Sequence, residues 1–416
     1  MRVLIVTSGS TGDVAPYTGL GARLRDAGHE VTLATHEPFR DGVDLPFLPL
    51  PGDLRRILPR AHGQDGTGSG TGPRALLRLL RLARPLVAEL GDGIVTAVRR
   101  SRAETVLLST MVAPLGYQVA EAAGIPWAGV FLQPVFPTGD FGPVLAGGRP
   151  LGRAGNRLTG RFLETAARPL YAGPVHELRR RLGLPRRSMA ALQRAQQHRW
   201  PTFHGFSPSV VARPADWPAS QEVVGYWWPE RPPGWSPPAE VERFLAAGPP
   251  PVFVGFGSMA PGHGGRLAAP VLAAVRAAGV RAIVQAGWSG LRVERAPDVL
   301  SVGALPHDWL FPRVAAVVHH CGAGTTAAGL RAGVPAVGVP VLADQPFWAR
   351  RLHELGVAPA PVPLPRLTAD RLAGALRSVT TEPRYAARAA ALAARLGAED
   401  GAERVLKWLE TPMPPS

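Results

Sequence analysis

The chain's 416 residues are 46% hydrophobic and 19% charged, enough for two or three domains with cores of their own and too apolar for wholesale disorder. With no run of eighteen apolar residues and one cysteine, Cys321, a membrane-spanning helix, intramolecular disulfides and multi-cysteine zinc sites are excluded. The formal charge of +15 favours anionic partners, whether nucleic acid, nucleotide phosphates or an anionic membrane surface, and no zinc-finger spacing, RNP-like aromatic motif or basic-region heptad supports nucleic acid.

In chain order, MRVLIVTSGSTGD reads as a strand and a glycine turn rather than a signal peptide, which predicts a cytoplasmic protein. RVLIVT (2–7) is a continuous apolar run of the kind buried on both faces. A helix over Tyr17 to Ala27, ending at Gly28, and a strand VTLAT (31–35) follow. GQDGTGSGTGP (63–73) is a flexible loop by composition. In RALLRLLRLARPLVAEL (74–90), Arg74, Arg78, Arg81 and Arg84 recur at helical spacing with leucines between them. This predicts a surface helix, or one resting weakly on an anionic membrane, kinked or interrupted at Pro85.

Next come TVLLS (105–109), a helix near Ala113–Ala123 and WAGVF (127–131), the spacing of βαβ units in a parallel sheet. YWWPERPPGWSPP, opening a linker over 226–240, marks a shift in composition. The alternation then restarts with VFVGF (252–256), a helix near Arg266–Ala277, RAIVQ (281–285), VLSVG (299–303), AAVVHH (315–320), a helix near Thr325–Arg331 and AVGVP (336–340). The expected fold is α/β, with two tandem Rossmann-like doubly wound domains at 1–225 and 241–395. A C-terminal helix in 396–416 is expected to pack back on the first domain. Ligands of such sheets bind beyond the carboxyl ends of the strands, here in an interdomain cleft.

Three glycine turns fall at those strand ends: SGSTGD (8–13), GFGSM (255–259) and HHCGAGTT (319–326). Glycine admits close backbone approach, and a helix start offers free N–H groups to an anion; Thr325 and Thr326 add hydroxyls. His319 and His320 alternate across a strand and cannot converge on one metal. His320, last before the glycines, suits phosphate contact, whereas His319 suits packing or solvent. Cys321 stands alone without a partner that would make it a nucleophile. The only lysine is Lys407, so no Walker-type loop and no Schiff-base lysine near a pocket exist. No DxD motif is present, which weakens any divalent-cation mechanism. Asp13, directly after Gly12, suits a helix N-terminus; facing the cleft, it also suits taking a proton from an acceptor hydroxyl.

Four long stretches carry a resemblance. VGALPHDWLFPRVAAVVHHCGAGTTAAGLRAGVPAVGVPVLADQPFWARRL (302–352), VGYWWPERPPGWSPPAEVERFLAAGPPPVFVGFGSM (224–259), TSGSTGDVAPYTGLGARLRDAGHEVTLATHEPF (7–39) and the late AEDGAERVLKWLE resemble the GT-B nucleotide-sugar-dependent glycosyltransferases. These comprise bacterial antibiotic glycosyltransferases and sterol glucosyltransferases. Residues 40–200 carry no recognised motif, and in this family that region holds the acceptor.

The resemblance implies that Asp13 is the catalytic base. Many relatives place a histidine there, oriented by an aspartate from a later strand end, but LLSTMVAP (107–114) has no carboxylate. Thr11 and Gly12 are implied on the donor side, and Gly257, Ser258, His320, Gly322, Gly324 and Thr325 near the diphosphate. The backbone around Leu305 would meet the nucleobase, Trp288 would meet base or ribose or lie in the core, and Asp344 and Gln345 would hydrogen-bond the sugar. The implied reaction is inverting and metal-independent, with no cofactor. It moves sugar from a TDP- or UDP-sugar to a hydroxyl of an apolar acceptor such as a polyketide, macrolide aglycone or sterol, in a monomer or homodimer. C- or N-glycosylation, or an inactive sugar-nucleotide-binding partner protein, are the alternatives. A nucleotide-sugar epimerase of the same fold would look different around its donor turns.

Overall fold

A computed structural model describes residues 1–52, 73–231, 234–257, 264–286, 291, 293 and 296–411, with backbone alone at 73–83, 199, 264 and 265. Short β-branched and leucine runs flanked by glycine or proline form buried strands. β1 (Arg2–Val6), β2 (Glu30–Thr35), β3 (Phe47–Pro49), β4 (Thr105–Leu108), β5 (Trp127–Phe131), β6 (Thr202–His204) and β7 (Gln221–Val223) make one sheet in the order β3-β2-β1-β4-β5-β6-β7. β8 (Val252–Gly255), β9 (Ala282–Gln285), β10 (Val299–Val302), β11 (Ala316–His319) and β12 (Ala336–Gly338) make a second, in the order β10-β9-β8-β11-β12. Every pairing in both is parallel. Counted within each domain, both sheets begin with the order 3-2-1-4-5, and both faces of each must be covered.

The helices of the first part are α1 (Thr11–Asp26), α2 (Pro73–Ser101), α3 (Ala113–Ala123), α4 (Gly152–Arg181) and α5 (Met189–Arg199). Those of the second are α6 (Ala239–Ala246), α7 (Gly264–Ala278), α8 (His307–Leu310), α9 (Ala323–Ala332), α10 (Gln345–Glu354), α11 (Ala369–Thr381), α12 (Pro383–Gly397) and α13 (Glu403–Glu410). One face of the first sheet packs Leu4, Val106 and Phe131 against Val87, Ile94 and Leu178 of α2 and α4. In the second sheet Val252, Val254 and Val318 pack against α7 and α11.

Three expectations change. α1 begins at Thr11, six residues before the expected start, because the Asp13 carboxylate accepts from the Ser10 N–H and closes the first turn. Pro16 lies inside α1; lacking an N–H, it leaves the Gly12 carbonyl without its intrahelical donor. α2 runs through Pro85 without interruption, since its second half is anchored by buried Val87, Leu90, Ile94 and Ala97. The side chains of Arg74, Arg78 and Arg81 lie outside the described residues, and Arg84 donates to the Pro169 carbonyl of α4. α4, thirty residues long, carries Pro169 and Pro174 inside it and, like β3, β6 and β7, has no counterpart among the expected elements. Among the described residues no helix is long and apolar enough to cross a membrane.

The connection after β7 is tied to both ends of the chain. Trp227 Nε1 donates to the Gly401 carbonyl at 2.8 Å, and Tyr17 of α1 meets the Trp227 ring at 5.8 Å. Arg331 of α9 lies over Trp228 at 4.5 Å. Val405 and Leu409 of α13 bury themselves with Val3, Ile5, Phe203 and Trp227, so the last helix covers the first sheet. Backbone contact here leaves no room for a side chain: a Cβ at Gly19 would lie 1.8 Å from the Trp228 carbonyl oxygen. Gly19→Ala is therefore expected to destabilise the protein by about 1–3 kcal/mol or more through overpacking, read as a lowered denaturation midpoint; an unchanged midpoint would contradict this packing.

Candidate functional site

In each sheet the strand order reverses beside the first strand, and the turns leaving β1, β8 and β11 all lie at these reversal points. The first turn holds Asp13. Its Oδ2 accepts from the Ser10 N–H and the Ser10 hydroxyl, each at 2.8 Å, and the Thr7 hydroxyl donates to the Asp13 carbonyl at 3.0 Å. The capping use of Asp13 is thus present, and Asp13 remains partly exposed, with Thr11 and Gly12 exposed beside it.

Opposite stands the start of α9. Its N-terminal N–H groups, at Ala323, Gly324 and Thr325, precede the first intrahelical bond, from the Thr326 N–H to the Gly322 carbonyl. A Cβ on Gly324 would lie 3.3 Å from both the Cα and the carbonyl oxygen of Gly12. The two turns are in contact across the domains, and each is glycine where it touches. Thr325 is half-buried, but Thr326 is buried with an unpartnered hydroxyl, so it offers nothing at the surface and that expected donor is withdrawn.

His320 fills the space between two of the glycine turns. A Cβ at Gly257 would meet its ring at 2.7 Å, and one at Gly322 at 2.6 Å. Burial pushes its pKa down to about 4, with a lesser contribution from His307. The ring is therefore neutral at pH 7 and its Nδ1 has no hydrogen-bond partner, so it can offer a hydrogen bond but no full charge. His319 is packed rather than solvated. Its Nδ1 accepts from the Cys321 N–H at 3.1 Å, which holds Cys321 at a positive φ of 63°, and burial drives its pKa down to about 3. Cys321 is buried, and loss of water raises its thiol pKa far above the ordinary value, which removes it as a nucleophile.

Asp344 caps α10 and receives the Trp348 indole N–H at 2.9 Å. Removal from water, then the negative charge of Asp13, push its pKa up to about 6, with hydrogen bonding from Trp348 and Gln133 acting the other way. Asp13 and Asp344 therefore feel each other across the cleft. Gln345 is a different matter. Its Oε1 accepts from the Val341 and Leu342 N–H groups at 2.8 and 3.1 Å, so the side chain braces its own turn and only its amide N–H groups remain for a sugar. Leu305 is buried in the cluster under β10 with Phe253 and Ile283, in the segment following β10. Ser258 and Trp288 lie outside the described residues. Among the described residues no group of three or more His, Cys, Asp or Glu could hold a metal.

Sequence reasoning missed Gln133, just past β5, and the buried pair Ser8 and His36. Gln133 and His36 stand in no glycine turn, and Ser8, the first residue of the SGSTGD turn, is uncharged and shows no partner in the sequence. The only signal was their position at strand ends flanking the first turn.

Two parallel, doubly wound domains whose turns after β1 and β11 meet at Gly12 and Gly324 are the architecture of the GT-B class of glycosyltransferases. Residues 3–141 match the glycosyltransferase family 28 N-terminal domain, and residues 272–411 match the erythromycin biosynthesis protein CIII-like C-terminal domain. The chain is 38% identical to O-mycaminosyltylonolide 6-deoxyallosyltransferase of Streptomyces fradiae, over 99% of this chain and 98% of that one. It is 32% identical to a sterol 3-beta-glucosyltransferase of Arabidopsis thaliana, over 98% of this chain and 65% of the relative. The crystal structure of the glycosyltransferase VinC in complex with DTDP superposes with a TM-score of 0.67 at 22% identity, covering 98% of each chain. The chain belongs to the glycosyltransferase family that includes these antibiotic and sterol enzymes.

Because the Asp344 carboxyl titrates higher in the fold than its ordinary 3.8, ionising it costs stability as pH rises through the window from about 4 to 6. Asp344→Asn removes that cost while keeping an acceptor for Trp348. Its melting temperature should exceed that of the unaltered chain at pH 8, with the difference shrinking towards zero at pH 4. A difference independent of pH would mean Asp344 is not the crowded carboxyl described.

Proposed function

We propose that the chain transfers a sugar from a TDP- or UDP-sugar to a hydroxyl of an apolar acceptor of polyketide, macrolide or sterol type, with inversion and without a metal. Asp13 accepts the acceptor's hydroxyl proton as the acceptor oxygen bonds to the anomeric carbon. The bond from that carbon to the β-phosphate oxygen breaks, and the nucleoside diphosphate leaves with the electron pair. The N–H groups of Ala323 to Thr325 and a ring N–H of His320 receive the developing charge, fixed in place before it appears. Asp344, ionised above about pH 6, accepts from sugar hydroxyls beside them.

The observation that carries this is the juxtaposition of Gly12 and Gly324, which sets a carboxylate and an anion-binding helix start on opposite walls of one cleft. The acceptor class rests on the named substrates of the relatives and on an apolar surface in the first domain. Leu145, Leu151, Leu158 and Phe162 are exposed, and Gly147, two residues from Leu145, approaches Pro346 beside the Asp344 turn, its Cβ position lying 3.2 Å from the proline Cβ.

Asp13→Asn should abolish turnover while leaving the calorimetric affinity for dTDP or UDP nearly unchanged; substantial residual transfer would leave Asp13 as a cap only. Excess EDTA should leave the rate intact, and a loss reversed by Mg²⁺ or Mn²⁺ would overturn the metal-free scheme. His320→Ala should weaken nucleoside diphosphate binding by about tenfold, the scale of one charge-assisted hydrogen bond. His319→Ala should instead lower the melting temperature, because it unsupports Cys321.

A further inference from the structure

Behind the Asp13 turn two buried polar side chains close a short chain of hydrogen bonds. Ser8 and His36, each 2% exposed, follow β1 and β2, and the Ser8 hydroxyl lies 2.7 Å from His36 Nε2. His36 Nδ1 lies 3.1 Å from the Leu50 carbonyl oxygen, beyond β3. A carbonyl can only accept, so Nδ1 carries the proton, and in the neutral ring Nε2 is left to accept from Ser8. Ser8 is thereby held to the sheet through three adjacent strand ends.

What Ser8 holds is the backbone that encloses Asp13. The next residue, Gly9, has φ of 145°, and a Cβ there would lie 2.6–2.8 Å from the Asp13 Oδ2, Cβ and Cγ atoms. Ser10 then donates twice to Asp13 Oδ2. The carboxylate orientation is therefore set by the path of residues 8–10, and that path starts from the Ser8–His36 bond. A serine hydroxyl on an imidazole also has the form of a nucleophile and its base, but burial of both partners denies Ser8 a substrate.

We infer that Ser8 and His36 are positioning residues for the transfer reaction, fixing the Gly9–Ser10 path that aims Asp13. The inference rests on Asp13 being the base. A displacement of the base by a fraction of an ångström lowers turnover without touching the nucleotide site on the other domain.

The test uses the full chain, with dTDP-glucose or UDP-glucose and a polyketide or sterol acceptor that the unaltered chain turns over. Ser8→Ala and His36→Ala should lower kcat on the order of 10- to 100-fold while dTDP affinity stays within about twofold, a change too small to register as a lost hydrogen bond. His36→Gln, which restores an acceptor for Ser8, should recover part of the rate. Melting curves accompany each variant, and Ser8→Ala, the smallest truncation, stands in should His36→Ala fail to fold. If Asp13→Asn is inactive while Ser8→Ala and His36→Ala turn over at the unaltered rate, the positioning role is wrong and the base assignment stands. If Asp13→Asn itself retains turnover, the base assignment falls and the positioning role falls with it. Equal loss of kcat and dTDP affinity in Ser8→Ala would also overturn it, as general loosening of the fold.

Discussion

The site depends on one close approach, between the start of α1 and the start of α9. Gly12 and Gly324 lie close together, a Cβ on Gly324 coming within 3.3 Å of the Gly12 backbone, and this brings the turn that holds Asp13 beside the start of α9. Each partner is in place for its own reason. The Asp13–Ser10 bonds begin α1 early, and the αL backbone at Cys321 turns the chain from β11 into α9. The repeated strand order then puts both starts at the reversal points of their sheets, where a parallel sheet has space for a ligand.

Electrostatics at this site come mainly from burial and from fixed dipoles. His307, His319 and His320 are all driven towards neutrality by loss of water, so the proposed diphosphate site sets backbone N–H groups beside neutral imidazoles. That suits a ligand whose charge grows during reaction, because the donors need not reorganise. The chain's positive charge acts elsewhere. Many arginines pair with carboxylates on exposed surfaces, as Arg23 does with Asp400 and Arg404 with Glu222, where each pair adds little to stability while the excess charge draws anionic ligands in.

A frame of aromatic and glycine contacts keeps the two walls in register. The Trp227 indole reaches Gly401, the Trp228 backbone lies on Gly19 of α1, and Arg331 of α9 lies over the Trp228 ring. On the other side, Phe347 and Trp348 of α10 pack with Phe141 and Phe206 from the first domain. The helix whose cap is Asp344 is thus also an interdomain packing element, so domain alignment and the geometry at Asp344 are set together.

The sequence by itself determined the class of fold, nine of the twelve described strands and the glycine turns after β1, β8 and β11, because apolar period and glycine placement are local properties that survive any packing; β3, β6 and β7, three residues each, are too short to show a period. Asp13 and His320 stand out for the same reason, each beside a glycine turn that follows a strand, whereas Asp344 enters only through the resemblance, with Gln345. Only the tertiary structure decided which of these groups meet, since Gly12 and Gly324 are more than three hundred positions apart and their contact follows from sheet order. It also decided that Gln345 braces its own turn, that Thr326 is buried, and that α2 continues through Pro85, where packing on α4 outweighs a local preference. The Ser8–His36 pair is the clearest case. Twenty-eight positions apart, they become partners only because β1 and β2 lie side by side, and no local pattern records which strands are neighbours.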